Sequence, residues 1–173
     1  MMTMGLYNHI RLLGGCLLLA LLSSGGPAFA EEDHSQLQKL KAAFLFNFLR
    51  YSDVPSSNAS KLQLCLLGEE ALRVEEPLQE VSGRIIDGKS VVILPLKSLP
   101  EKVDCDILYF EHIENPSRLD ALRALTISVS PTPAMIQFTT VNDTLQFNVN
   151  LQRAKAKGIY LSSQLLRVAF SVQ

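Results

Sequence analysis

Apolar and polar positions along this chain follow two periods. From Leu37 to Tyr51, the residues Leu37, Leu40, Phe44, Phe48 and Tyr51 recur at steps of three and four, the spacing of one helix face. Ala43, Leu45, Phe46 and Leu49 widen that stripe, so the predicted helix is buried on most sides. Ser35 or Asp33 is placed to cap it, and Asp53-Val54-Pro55 to stop it. Lys61 to Leu67 is a short apolar strand that ends at Gly68, and Glu69 to Val81 predicts a helix bent or ended near Pro77. Within Gly83 to Leu96 an Asp87-Gly88 turn separates two apolar runs, which predicts a hairpin or a loop followed by a strand.

The second half repeats the alternation of strands and helices. Asp106 to Phe110 is a buried-type strand. Asn115-Pro116-Ser117 opens a helix to about Leu125, with Pro116 near its first turn. Thr126 to Ser130 is a strand, and Met135 to Thr140 with Thr144 to Asn150 flanks Asn142-Asp143 as an antiparallel hairpin. In the second arm Leu145, Phe147 and Val149 alternate with Gln146, Asn148 and Asn150, the period of a half-buried strand. Leu151 to Lys157 is a short basic helix closed by Gly158. Ser162-Ser163 caps a last helix, Gln164 to Ala169, expected to turn Leu165, Leu166, Val168 and Ala169 to the core. The fold expected is α/β: one compact domain with a Rossmann-like mixed sheet, helices on its faces and an antiparallel C-terminal hairpin.

The N-terminus follows neither period. Arg11 precedes an apolar run from Leu12 to Leu22, and Ala28-Phe29-Ala30 leads into Glu31-Glu32-Asp33. This is the arrangement of a secretory signal peptide, residues 1–30, cleaved after Ala30. The run is shorter than the roughly 20 apolar residues of a membrane span. Two rival readings are a lipoprotein site at Leu13-Gly14-Gly15-Cys16 and an uncleaved anchor. The six apolar residues after Cys16 count against the first, since a lipidated cysteine normally opens a polar linker. Residues 31–173 then form the mature domain, with no membrane span, and part of the mean hydropathy of +0.18 belongs to the leader.

Composition narrows the function. The formal charge is −1 and the pI about 6.3, which argues against nucleic acid as a partner. The near-neutral total hides an uneven distribution. Residues 31–120 carry 10 basic and 16 acidic side chains, and residues 121–173 carry 5 and 1. Arg153, Lys155 and Lys157 share one short helix, with Arg167 on the next. Together with Asn148, Asn150 and Ser163 these cations are the candidates for binding an anionic ligand or an acidic partner surface, set against a plain solvated face. Export leaves Cys65 and Cys105 as an even pair in an oxidising compartment, expected to form a disulfide. A metal or redox pair is the alternative, but the mature histidines, His34 and His112, stand at no ligand spacing.

Catalytic signatures are absent from the sequence. It holds no G-x-x-x-x-G-K-[ST], no G-x-G-x-x-G and no G-x-S-x-G. Ser162-Ser163 reads as a cap rather than a nucleophile pair. The acidic clusters Glu69-Glu70, Glu75-Glu76 and Asp104 with Asp106 read as solvated positions rather than glycosidase or metal chemistry. No cofactor, no metal and no enzymatic activity are expected.

Three stretches carry a resemblance. Leu40-Lys-Ala-Ala-Phe-Leu-Phe-Asn-Phe-Leu-Arg-Tyr-Ser-Asp-Val-Pro55 is close to the opening LKAAFLYNFxKFxxWP of the YfiR family of periplasmic proteins. Leu64-Cys-Leu-Leu-Gly68, Gly83-Arg84 and Cys105-Asp-Ile-Leu-Tyr-Phe110 form the second block. The third, and the most specific, runs from Met135-Ile-Gln-Phe138 through Leu145–Leu151 and Ala154–Gly158 to Leu161-Ser-Ser-Gln-Leu-Leu-Arg-Val-Ala169. The similarity spans about residues 38–170. It implies an exported, non-catalytic α/β domain that represses an inner-membrane diguanylate cyclase by binding its periplasmic sensor domain. Cyclic-di-GMP and biofilm formation then depend on it.

The resemblance also implies a disulfide at the positions of Cys65 and Cys105, and a possible homodimer. Other branches act beside sensor histidine kinases or outer-membrane transport systems. A small-ligand module for anions or nucleotides in such a system is therefore the alternative function. The chain departs from the family pattern in three places. Pro133-Ala134 replaces a Gly-Gly before the Met-Ile strand, Ser130-Pro131-Thr132 is a shortened segment, and Val54 stands for tryptophan. The second disulfide of some members has no counterpart. Expression with export should yield a mature chain beginning at Glu31, and N-terminal sequencing or intact mass checks it; a chain retaining Met1 overturns the cleavage.

Overall fold

The computed structural model describes residues 28–173 apart from 57 and 103, with side chains described from residue 34. Most of the expected leader, residues 1–27, lies outside the described residues.

Helix α1 (Ala28–Tyr51) buries Ala42, Leu45, Phe48 and Leu49, with Leu37, Phe44, Phe46 and Tyr51 packed partly against the core, while Leu40 and Ala43 of the expected stripe face solvent because the sheet covers only one side of the helix. Neither Asp33 nor Ser35 caps it. The helix starts upstream of both, because Ala28 to Glu32 are mostly good helix formers, with acids near the helix start. Its sheet-facing side meets an aromatic cluster. Phe48 stacks edge-on against Phe147 at 5.0 Å between ring centres, and Phe44 does so at 5.5 Å. Phe138 lies 5.9 Å from both, and Tyr109 meets Phe138 edge-on at 6.0 Å. These are favoured aromatic geometries, each worth about 0.5–1.5 kcal/mol beyond the area buried.

The sheet has eight strands: β2 (Lys61–Leu67), β3 (Ile85–Ile86), β4 (Lys89–Leu96), β5 (Ile107–Phe110), β6 (Leu125–Ser128), β7 (Ile136–Val141), β8 (Thr144–Val149) and β10 (Ser171–Val172). Their order across the sheet is β10-β8-β7-β6-β5-β2-β4-β3. From β4 to β7 all neighbours are parallel, and the order of those five strands reverses at β2, the mark of a doubly wound layer. β3 and β8 are added antiparallel through two-residue turns. Asp87 and Gly88 form one turn and Asn142 and Asp143 the other, all four with positive φ, as a primed hairpin turn requires. β1 (Ser52–Asp53) and β9 (Tyr160–Leu161) form a separate antiparallel pair at the end of α1. The architecture expected from the sequence is thus the one observed.

Alternate residues of β2 serve opposite faces. Leu64 and Leu66 join the main core under α1, with Ala71 of α2 (Glu69–Leu72) and Leu78 of α3 (Glu75–Gln79). Cys65 and Leu67 join a smaller core on the other face with Leu108, Phe110 and Leu119 of α4 (Ser117–Ala121). Three expectations about helices are corrected. The predicted Glu69–Val81 helix is two, broken at Arg73-Val74 rather than at Pro77. Pro77 lies in the first turn of α3, where no intrahelical N–H is needed. α4 ends at Ala121, because Leu122 is extended and Leu125 is drawn into β6 opposite Ile107. In α6 (Ser163–Val168) Leu165 is buried but Val168 faces solvent, since this short helix lies beside the sheet edge with α1 on one side of it.

The aromatic cluster makes Phe48 a test of the main core. Phe48→Ala should cost about 3–5 kcal/mol of stability, read as a lowered urea midpoint; a loss below 1 kcal/mol would contradict the packing described.

Candidate functional site

The cysteine pair lies where β2 and β5 run side by side. Asp106 N–H donates to the Gln63 carbonyl at 2.9 Å, and Gln63 N–H donates to the Asp106 carboxylate at 2.6 Å. This two-way bond holds Cys105 against the middle of β2, with a Cα–Cα distance of 5.9 Å to Cys65. The two are joined in a disulfide, buried in the smaller core. Arg118 braces the same side by donating to the carbonyls of Leu99 and Pro100 at 2.9 and 2.7 Å.

The candidate cations separate into two sets. α5 (Leu151–Ala156) is capped by Asn150, whose Oδ1 accepts the Arg153 N–H at 2.8 Å. The Arg153 guanidinium reaches the Asp120 carboxylate at 3.2 Å and the Pro133 carbonyl, and Lys157 donates to the Asp120 backbone carbonyl. Arg153 and Lys157 therefore fasten α5 to the end of α4 and to the Pro133 segment, the place where the sequence departs from the Gly-Gly pattern. Lys155, Arg167 and Ser163 are exposed. Asn148 accepts the Ser171 hydroxyl at 2.7 Å and so helps hold β10 on β8. Neither of two surface grooves, one at Cys105 and Arg123 and one at Gln38 and Arg73, is lined by any of these seven residues.

One surface feature of this end was not read from the sequence. Tyr160, Val168, Phe170 and Val172 are exposed at 66, 69, 57 and 44 %. Phe170 and Val172 belong to the segment that adds β10 to β8 at the sheet's edge, with no strand on its other side among the described residues. Phe170 N–H donates to the Phe147 carbonyl at 2.8 Å, and Gln173 N–H to Val149 at 2.9 Å. Val168 ends α6 and Phe170 and Val172 follow in the extended segment, so no single period in the sequence marks this edge. Such exposed apolar residues next to the exposed Arg167 are suited to docking a partner.

Fold and surface together define a doubly wound α/β domain with a disulfide on one face and exposed apolar residues at one sheet edge. Residues 38–170 match the YfiR/HmsC-like family, and the chain belongs to it. The matched span runs from the first buried turns of α1 to Phe170, so it takes in both cysteines and most of the exposed strip. No curated protein matches the chain. Among the described residues no helix is long and apolar enough to cross a membrane.

The disulfide closes a separation of 40 residues, for which chain entropy gives about 3–4 kcal/mol. The Cys65→Ala, Cys105→Ala double variant should lose roughly that much in a denaturant titration, and the denatured, oxidised mature protein, without Cys16, should show no free thiol. Two titratable thiols in the oxidised wild type would remove the bond.

Proposed function

We propose that the protein is an exported, non-catalytic regulator that binds the periplasmic sensor domain of an inner-membrane signalling protein, a diguanylate cyclase, and holds it inactive. The observation that carries this reading is the family match across nearly the whole folded domain. The edge formed by Val168, Phe170 and Val172 is the docking surface. Burying such side chains contributes about 1.5–3 kcal/mol each, and Arg167 next to Val168, with the exposed Lys155 of α5, favours a partner with an acidic rim. Arg153, Lys157 and Asn150 act indirectly by keeping α5 in place under that edge, and Asn148 by holding β10.

Repression follows from occupancy alone, with no bond made or broken. While the domain sits on the sensor, the transition that activates the cytoplasmic half is disfavoured by the binding free energy. Deleting the gene should raise cellular cyclic-di-GMP and biofilm, and wild-type protein should restore both. Phe170→Asp should fold with unchanged far-UV circular dichroism yet fail to restore them or to co-purify the sensor domain. Unchanged cyclic-di-GMP on deletion overturns the role, and full rescue by Phe170→Asp overturns the surface.

A further inference from the structure

Helix α1 is held to the rest of the fold in two different ways along its length. Its second half is locked by Phe44 and Phe48 in the aromatic cluster with Phe138 and Phe147, and Leu45 and Leu49 are buried in the same core. The first half, residues 31–41, contains no Phe, Tyr or Trp. Leu37 is its one apolar side chain packed on the core, and Leu40 faces solvent. What this half buries instead is polar: Gln38 and Lys41 are 9 and 6 % exposed.

That burial is poorly matched. The Lys41 ammonium meets the Glu70 carboxylate of α2 at 3.5 Å, longer than the roughly 2.7–2.9 Å of a charge-assisted hydrogen bond. Glu70 is also shared, since its other oxygen accepts from the Arg73 Nε at 2.9 Å. Oε1 of Gln38 has no hydrogen-bond partner among the described residues. Neither has the hydroxyl of Tyr109. Burial, with Glu70 and then Glu111 adding to it, raises the pKa of that hydroxyl well above the usual tyrosine value, so it stays neutral. An unmatched polar atom costs free energy only while it is buried, because water satisfies it on exposure. A groove of about 410 Å³ also lies between this half of α1 and the α2–α3 pair, lined by polar side chains such as Lys39, Arg73, Glu76 and Glu80. Little apolar contact holds the helix from that side.

In its closed position this half therefore gains little from burial and forfeits the hydration of one charge and one amide oxygen. We propose that residues 31–41 form a strap that opens as one unit, up to the turn before Phe44 where the aromatic packing begins. Opening hydrates Lys41 and the Gln38 Oε1, and closing restores the Lys41–Glu70 pair and the cover of Leu37. Segments with few buried apolar contacts belong to the low-stability end of a fold. Glu70 is the latch, because it is the counter-charge of Lys41. Removing only that charge leaves a buried cation alone and favours opening, whereas replacing both partners by apolar side chains favours closing. A frayed helix end behaves differently: its exchange is graded from the terminus and does not depend on Glu70. The aromatic half of α1 stays in place on opening, and with it the tie from Tyr51 to Ser162 that leads to the β10 edge.

The test is amide hydrogen exchange on the purified, oxidised, processed protein, comparing residues 35–41 with 44–51. The first group should show one common protection factor, about tenfold or more below that of the second. Glu70→Gln should speed exchange of residues 35–41 together by roughly tenfold and change residues 44–51 by less than about threefold. Gln38→Leu, and the Lys41→Met, Glu70→Leu pair, should each slow exchange of residues 35–41 and leave the melting temperature unchanged or higher. Equal protection of the two halves overturns the proposal. So does protection graded from residue 31 that Glu70→Gln leaves unchanged, or faster exchange in the double variant. Should Glu70→Gln fail to fold, the wild-type pattern and the two stabilising variants decide. Because exchange is measured without the cyclase, its failure leaves the docking reading untouched.

Discussion

The packing of α1 across the sheet is the contact on which the remaining structure depends. Phe44 and Phe48 stand one turn apart on the helix and meet Phe138 and Phe147, which face each other across the β7–β8 hairpin. The helix comes first in the chain and the hairpin near its end, so this cluster closes the domain over its whole length. It also positions the β10 edge. The start of α6 is tied to the end of α1 through Ser162 N–H and the Tyr51 carbonyl at 2.9 Å, and β10 then returns beside Phe147. Near the middle of the helix the buried Lys41 meets Glu70 at 3.5 Å.

Among the described residues the opposite face has no comparable helix. α4 is five residues long, and the rest of that cover is loop. A thin layer buries little apolar surface, and a cross-link that lowers the entropy of the unfolded chain offsets the shortfall. Cys65 reaches that face because strand side chains alternate, and Arg118 adds two hydrogen bonds to the same loop. The two faces thus achieve stability differently, one by aromatic burial and one by a covalent tie.

Local pattern made most of the fold legible. The strand at Lys61–Leu67, the Asp87-Gly88 and Asn142-Asp143 turns and the Ser162 cap are set by backbone preferences of a few residues, and each is found where the spacing places it. Helix ends were less legible. Whether Leu122 to Leu125 continues a helix depends on the pull of β5 on Leu125, a contact with residues well upstream. The short pairings β1–β9 and β8–β10 gave no signal of their own, since two residues carry no period. The candidate cations showed the same limit. Their count and clustering were plain, but Arg153 and Lys157 turned out to be engaged by Asp120, more than thirty residues away.

By itself the sequence determined the class of fold, the cysteine pair and the split of charge between the two halves, because period, parity and composition are properties of the chain alone. Tertiary structure decided which apolar residues remain outside. Val168 and Phe170 are as hydrophobic as Leu165, and their places at the end of α6 and in the segment that leads into the edge strand β10 leave them in water. It also decided that Gln38 and Tyr109 lie buried with unmatched polar atoms, since burial is set by what the rest of the fold lays over a residue and not by the residue's own neighbours in the chain.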